Sequence, residues 1–360
     1  MNNAEIISCI PAVKPRMEWL DAMRGFTMIL VVAYHVAQIT FMQDEKISAS
    51  LPFLVLFRMP LFFFVSGFLA YKSKWVWTVT SFFSLIWKKI KIQVLPAFVF
   101  LCVLIILKRN TPFFETLLSA LRLPTKSGYW FTWVLLQMFV IYYVIAVLAQ
   151  KLKSHIPVWI LWLFCLFAYL SLYLPKEFGK WYKTDFMMYS SFYETLKFMH
   201  FFVVGNLVHR YWPLVLKLFQ SKWLYPLLTI VAFFSCADIF KLHLFKLEWT
   251  NLPRTLAMYS LMFMVVMFFH YYQDSFMKST RIGRGLQYIG VRTLDIYLLH
   301  FILLPRLPMV GAFLNNHHPN FLLDVVLAVT LALIVIAGCC LVSNILRVSP
   351  IFKEYLFGRK

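Results

Sequence analysis

The stretch EWLDAMRGFTMILVVAYHVAQ, residues 18–38, has the composition of a first membrane-spanning helix. It is long and apolar enough to cross a bilayer, because about 20 mostly apolar residues span the hydrocarbon core. Yet it carries Asp21 and Arg24 near its start and His35 near its end. Ionisable side chains inside a span are costly, so these three mark a candidate functional site.

The composition of the whole chain also predicts membrane helices. Of the 360 residues, 61% are hydrophobic and 14% are charged, and the mean hydropathy is +0.74. A soluble globular chain is usually about half apolar and about one quarter charged. The apolar residues form long runs rather than alternating segments of about ten residues, which excludes a transmembrane β-barrel. We therefore predict an all-α polytopic integral membrane protein.

Ten spans are predicted in one transmembrane domain, residues 20–346, between an N-terminal arm (1–19) and a basic tail (347–360). No A-x-A site follows the first apolar run, so this span is predicted to stay uncleaved. Lys and Arg collect in alternate loops, and cytoplasmic loops carry the excess of these residues. Both termini are therefore predicted to be cytoplasmic. The approximate spans are 20–41, 52–71, 92–107, 129–149, 156–174, 195–212, 223–240, 253–272, 291–312 and 321–346.

The net charge of +20 first suggests a nucleic-acid partner. However, the basic residues lie in short loops between apolar runs, where they set the topology and contact anionic lipid headgroups. We therefore predict that the basic residues contact the lipid bilayer and that the protein does not bind nucleic acid. The six cysteines lie mostly inside apolar runs without a CxxC pair, so neither a metal site nor a disulfide framework is predicted.

Two ionisable residues share a predicted depth in neighbouring spans. At 1.5 Å per residue, His35 lies roughly 20 Å from the cytoplasmic end of the first helix, and Arg58 lies roughly 20 Å from that of the second. Antiparallel neighbours would place both side chains in the outer half of the bilayer. The sequence therefore predicts that they share one polar cavity.

Each candidate residue also has a purely structural interpretation. A membrane histidine can be the hydrogen-bond partner of a neighbouring helix, and Asp21 with Arg24 fits an interfacial ion pair. The pair Ser66-Gly67 fits a small-residue helix contact. Tryptophans near span ends, such as Trp130, usually belong to an interfacial belt.

Several motifs together resemble the membrane acyltransferase-3 family, bacterial O-acyltransferases that modify cell-surface glycans. EWLDAMRGFTMILVVAYH is similar to the family's L-D-x-x-R-G followed by histidine, and FRMPLFFFVSGFLAYK to its arginine and SGF signature. KKIKIQVLPAF, YWFTWVLLQMFVIYYVI and GVRTLDIYLLHFILLP resemble later family segments in the same order. The segment QVLPAF has one proline where many members have two.

The resemblance implies transfer of an acyl group, commonly acetyl from acetyl-CoA, to a hydroxyl of a glycan or lipid-linked sugar. It also implies a multi-pass protein of the bacterial inner membrane. In that interpretation His35 is the catalytic base and Arg58 stabilises the developing oxyanion. The acceptor side is assigned to Tyr34, Trp130 and His300. Donor binding is assigned to Asp21, Arg24, Gly25, Ser66, Gly67, Lys88, Lys89 and Lys91.

The main alternative is a secondary transporter, in which intramembrane His and Arg serve as substrate or proton sites. Transporters often show inverted repeats and paired broken helices, and neither is evident in the sequence. A purely structural membrane protein is the second alternative. It leaves the matched depth of His35 and Arg58 unexplained.

Overall fold

The computed structural model describes residues 17–43, 48, 50–72, 75–108, 112–151, 158–173, 184–239, 252–316, 320–349 and 352. Most of the predicted N-terminal arm and basic tail lie outside these residues. Within them all regular structure is helical and no strand occurs, which confirms the all-α prediction. The α-helices are α1 (Glu18–His35), α2 (Leu51–Ala70), α3 (Val79–Lys89), α4 (Leu95–Lys108), α5 (Phe113–Arg122), α6 (Trp130–Lys151), α7 (Val158–Ser171), α8 (Asp185–Tyr189), α9 (Phe192–Arg210), α10 (Trp212–Phe219), α11 (Leu224–Ile239), α12 (Leu252–Tyr271), α13 (Arg281–Val291), α14 (Thr293–Leu303), α15 (Pro308–Asn316) and α16 (Phe321–Leu346).

Six of the described helical segments are long and apolar enough to cross a membrane, and two bent pairs raise the number to eight if each pair is one span. The prediction of a multi-pass protein is thereby confirmed. The number ten stays a prediction, because α7 has only 14 residues and α9 carries Glu194 and Lys197. The six segments are Glu18–Thr40, Leu51–Ala70, Val79–Leu107, Trp130–Lys151, Leu252–Tyr271 and Phe321–Leu346.

The third predicted span, 92–107, is only the second half of a longer helical segment. Helix α3 begins thirteen residues earlier, directly after Thr78, whose side chain forms a capping box with Ser81. A π-helical turn, Ile90–Val94, then joins α3 to α4. Lys88, Lys89 and Lys91, which the hydropathy pattern places in a cytoplasmic loop, therefore lie on helix.

The ninth predicted span, 291–312, is broken where α14 ends. Pro305 has no backbone N–H and disfavours a helical conformation at Leu304, which is extended with ψ 118°. Helices α14 and α15 consequently meet at 91°. The bend is fixed to the end of the first span, since the Leu307 N–H donates to the Thr40 carbonyl oxygen at 2.9 Å.

Glycines let the core helices cross at backbone contact. A Cβ added to Gly67 of α2 would lie 1.8 Å from the carbonyl oxygen of Phe202 on α9. One added to Gly25 of α1 would lie 2.0 Å from the carbonyl oxygen of Leu286 on α13. Only glycine fits at either crossing, so these two residues fix how closely α1 and α2 pack against their neighbours.

Contacts between helix ends identify the two faces of the bundle. Trp19, at the start of α1, lies 6.4 Å from Phe68 at the end of α2 and stacks on Trp212 at the start of α10, with ring centroids 6.0 Å apart. We call this the inner face, after the predicted cytoplasmic orientation. The opposite face, where the π-helical extension of α1 (Val36–Thr40) ends, is the outer face.

Candidate active site

A cavity of about 1030 Å³ extends through the interior of the bundle from the inner to the outer face. Its inner end is lined by Arg24 and Lys88, its middle by His35 and Arg58, and its outer end by Arg306. The predicted shared cavity of His35 and Arg58 is therefore confirmed. A cavity of this size holds an extended ligand rather than a single ion.

His35 lies at the last residue of α1, where the helix widens into the π-helical turn. Such turns are frequent at functional sites because they re-aim side chains. The imidazole is half-buried and faces the cavity. It contacts Phe301 with ring centroids 4.8 Å apart, and His300 with centroids 5.0 Å apart.

A chain of two hydrogen bonds fixes the tautomers of this histidine pair when both rings are neutral. The Nδ1 of His300 lies 3.0 Å from the carbonyl oxygen of Ile296, so it must carry the proton and donate. The Nε2 of His300 then has only a lone pair, and it lies 3.0 Å from Nδ1 of His35. His35 therefore donates from Nδ1. Its Nε2 is left unprotonated, as a general base requires.

Helix α14, which carries His300, is held against the start of α6. The Tyr129 hydroxyl donates to the carbonyl oxygen of Leu298 at 2.9 Å, and the Tyr297 hydroxyl donates to that of Gly128 at 2.9 Å. Gly128 has φ +105°, and a Cβ there would lie 2.4 Å from the Phe301 ring. These contacts fix the rotation of α14 and thereby the position of the His300 ring behind His35.

Arg58 supplies a positive charge beside the two imidazoles. It is 8% exposed, and its guanidinium carbon lies 3.7 Å from the centroid of the Tyr34 ring, the residue adjacent to His35. Its charge acts electrostatically on both His35 and His300. The arrangement places a planar donor with a permanent charge in the same cavity as His35, over the ring of the residue that precedes it.

The inner end of the cavity concentrates cations. Arg24 is held by Asp21 at 3.3 Å and by the Thr293 hydroxyl at 3.0 Å. Lys72, Lys88 and Lys89 line the cavity beside it; we call these four basic residues the inner cluster. Burial, and then the neighbouring charge of Lys88, lower the pKa of Lys72 from its ordinary value. An anionic ligand would relieve this repulsion.

The other predicted donor residues fall into two groups. Ser66 lines the cavity and donates to the carbonyl oxygen of Phe62 at 2.8 Å. Gly25 and Gly67 instead occupy the helix crossings described above, which favours a packing role for both. Lys91 lies over the Trp87 ring at 5.3 Å and is not part of the cavity lining.

Of the three predicted acceptor-side residues, two line the cavity and one is buried behind the base. Trp130 lines the cavity and stacks on Phe198 with centroids 5.9 Å apart. Tyr34 lines the cavity as well, beneath Arg58. His300 is fully buried behind His35, so it contacts the base rather than a ligand. In the described part of the chain, no group of three His, Cys, Asp or Glu side chains could hold a metal ion.

Sequence reasoning missed three features of this site. It did not pair His300 with His35, and it did not include Arg254 and Arg306, which both line the outer end of the cavity. The only sequence signal for these arginines was that each directly follows a proline, Arg254 at the start of the span predicted for 253–272 and Arg306 inside the span predicted for 291–312. That signal does not distinguish a cavity residue from an interfacial one.

Comparison with known families decides the class of the protein. Residues 17–344 match the acyltransferase-3 family model, described as an acyltransferase domain. The chain belongs to the acyltransferase-3 family. The match covers every residue of the site described above and makes the protein a membrane acyltransferase. No significant match to a curated protein or to a solved structure is found.

The histidine pair of this acyltransferase leads to a first prediction. Replacing His300→Leu removes the acceptor for the Nδ1–H of His35, and the base loses its fixed tautomer. We expect kcat to fall about 10²-fold, toward the lower end of what a positioned general base contributes. His300→Gln should recover part of this loss, because its side-chain oxygen can accept the same hydrogen bond. Steady-state kinetics and pH profiles of both variants check this.

A purely packing role of His300 would give a different pattern. Leucine and glutamine would then reduce the thermal stability and the activity in parallel, and the pH profile would stay unchanged. Equal activity of the two variants would contradict the positioning role.

Proposed function

We propose that this acyltransferase moves an acetyl group from acetyl-CoA, bound from the cytoplasm, to a hydroxyl of an exported or cell-surface carbohydrate on the opposite face. The membrane is then the bacterial inner membrane. The observation that carries this proposal is the cavity itself, because it joins the inner cluster, the His35–Arg58 pair and the outer face in one space.

The residue types fit a direct transfer in two steps, attack on the thioester and departure of the thiolate. The acceptor hydroxyl gives its proton to Nε2 of His35 as its oxygen attacks the thioester carbonyl carbon. Arg58 stabilises the negative charge that develops on the carbonyl oxygen. The C–S bond then breaks, and the proton on His35 passes to the leaving thiolate. The products are the acetyl ester and free CoA, and the neutral base is restored.

The inner cluster suits the phosphate groups of CoA. Lysine and arginine form charge-assisted hydrogen bonds with phosphate oxygens. From Arg24 to His35 the first helix rises roughly 16 Å, at 1.5 Å per residue. An extended thioester arm could therefore run along α1 past Ser66, with its phosphates at the inner cluster and its carbonyl near Arg58.

Reconstituted protein tests this function directly. Proteoliposomes receive labelled acetyl-CoA on one side and glycans from the bacterial envelope on the other, and ester formation is followed by mass spectrometry. The proposal expects ester formation only when donor and acceptor lie on opposite sides. Uptake of acetyl-CoA or sugar without ester formation would instead favour the transporter alternative, which family membership does not support.

The donor assignment yields a second prediction. Lys88→Gln combined with Lys89→Gln should raise the Kd for acetyl-CoA at least about tenfold, since each lost charge-assisted contact contributes about 1.5–3 kcal/mol. The effect should shrink at high salt, where screening already weakens the attraction. Isothermal titration calorimetry of the purified protein at two salt concentrations measures the Kd and its salt dependence.

The chain offers a matched control for charge and topology. Lys91→Gln with Lys217→Gln removes the same number of charges near the inner face, but neither side chain lines the cavity. This pair should leave the donor Kd unchanged. Equal weakening by both pairs would mean that the lysines act only through the general surface charge.

A further inference from the structure

A second set of cations lines the cavity at its outer end. Lys197 lies in the first turns of α9, Arg254 lies in the first turn of α12, and Arg306 lies in the bend between α14 and α15. The other ends of α9 and α12 lie at the inner face, where His270 of α12 contacts Trp19. The three cations are therefore remote from the inner cluster, and we call them the outer cluster.

The orientation rule does not account for the outer cluster. Lys and Arg are enriched on the cytoplasmic side of a membrane protein and depleted on the other. Basic residues that line a cavity toward the outer face run against this tendency. A ligand requirement is the simplest physical reason to keep them there.

The outer cluster has little compensating negative charge in the described cavity lining. Glu194 is the one carboxylate among those residues, and it lies 3.6 Å from Nζ of Lys197. The Nε of Arg254 is buried and has no hydrogen-bond partner among the described residues. Arginine keeps its charge at any ordinary pH, so a buried guanidinium donor of this kind is stabilised only by an anion or another acceptor.

The outer cluster also lies next to a surface that suits a sugar ring. Trp130, stacked on Phe198, lines the same cavity, and Thr125 and Ser127 add hydroxyl groups nearby. An apolar ring face, hydroxyl donors and two arginines together fit a sugar that carries a negative charge. A neutral sugar would leave the buried Nε–H of Arg254 without an anionic acceptor.

We propose that the acceptor is an anionic carbohydrate, whose phosphate or carboxylate group binds Arg254 and Arg306 while its hydroxyl reaches His35. This inference rests on the proposed function and narrows its acceptor class. The planar guanidinium groups bind such oxyanions in bidentate geometry, which orients the ligand as well as holding it. The outer cluster then selects the acceptor, as the inner cluster holds the donor.

The acceptor class is tested first in cells that produce the protein. Envelope glycans from cells with the wild-type protein and with His35→Ala are separated by anion exchange, and their ester-linked acyl groups are measured by mass spectrometry. We expect the His35-dependent acyl groups on the phosphate- or carboxylate-bearing fraction. Their presence on neutral glycans alone would overturn the inference but leave the proposed function intact. Absence of any His35-dependent acyl group would contradict the proposed function and this inference with it.

Variants of the outer cluster test its residues. Arg254→Gln with Arg306→Gln should lower kcat/KM for the anionic fraction at least about tenfold, the loss expected for charge-assisted hydrogen bonds. Arg254→Lys with Arg306→Lys should recover part of it. Arg122→Gln removes an exposed charge at the end of α5, outside the described cavity lining, and should match the wild-type protein. Equal kcat/KM for the double glutamine variant and Arg122→Gln would overturn the assignment.

An anionic lipid headgroup is the other source of the same oxyanion chemistry. Proteoliposomes of pure phosphatidylcholine and of phosphatidylcholine with phosphatidylglycerol separate the two sources. The proposal expects the same loss for the double glutamine variant in both membranes. A loss confined to membranes with phosphatidylglycerol would assign the arginines to lipid and overturn the proposal.

Discussion

His35→Ala is expected to lower acyl transfer by about 10²–10⁴-fold, the range that a positioned general base contributes. The physical reason is the hydrogen-bond chain from Ile296 through His300, which leaves Nε2 of His35 unprotonated on a ring that lines the cavity. Without this nitrogen, the acceptor hydroxyl must attack while it still carries its proton. Initial rates of ester formation, at matched protein amounts in proteoliposomes, measure the loss.

The control for this variant is another half-buried histidine. His270→Ala removes an imidazole that contacts Trp19 and Trp212 at the inner face, away from the cavity lining. It should retain most of the activity if it folds and inserts normally. Donor affinity should be little changed in His35→Ala, because the inner cluster is intact. Wild-type ester formation by His35→Ala would remove this residue from the mechanism.

The shared cavity of His35 and Arg58 could be predicted because it depends only on helix geometry. The rise per residue fixes the depth of a side chain in a span, and two consecutive antiparallel spans are close neighbours. The His35–His300 contact depends instead on how α14 is rotated and on where it stops. Tyr129, Tyr297 and Gly128 set that rotation through contacts between distant parts of the chain, which the hydropathy pattern does not contain.

The fold shows the same division between local and non-local information. Long apolar runs predicted the helices and the multi-pass class, since a spanning segment must satisfy its backbone hydrogen bonds internally. The early start of α3 was missed because its apolar residues are interspersed with polar ones. The break after Leu303 had a local signal in Pro305. That signal was outweighed by the continuous apolar run on its N-terminal side.

Glycines show why a motif alone does not define a binding site. Gly25 and Gly67 both lie in segments that resemble the family's signatures, and the resemblance assigned them to the donor. In the structure each lies in backbone contact with a neighbouring helix. A Cβ added to Gly25 would lie 2.0 Å from a carbonyl oxygen of that helix, and one added to Gly67 would lie 1.8 Å from one. Their effect on the site is therefore through the spacing of α1 and α2, which carry His35 and Arg58.

Arg58→Lys is the second substitution with a large expected effect. Lysine keeps the positive charge and can still lie over the Tyr34 ring, but it loses the planar set of N–H donors. If Arg58 donates to the developing oxyanion, kcat should fall about 10²–10³-fold, as for loss of one oxyanion donor. The Kd for acetyl-CoA should change little, because the interaction forms mainly in the transition state.

A second arginine over a tyrosine ring provides the matched control for Arg58. Arg210 lies 5.2 Å from the ring centroid of Tyr71 and is outside the described cavity lining. Arg210→Lys makes the same chemical change to an arginine–tyrosine pair whose arginine is exposed, so it reports the loss of the ring contact by itself. We expect near-wild-type kcat for Arg210→Lys and a large loss for Arg58→Lys. Near-full activity of Arg58→Lys would mean that this residue acts only as a diffuse positive charge, and the oxyanion role would then be wrong.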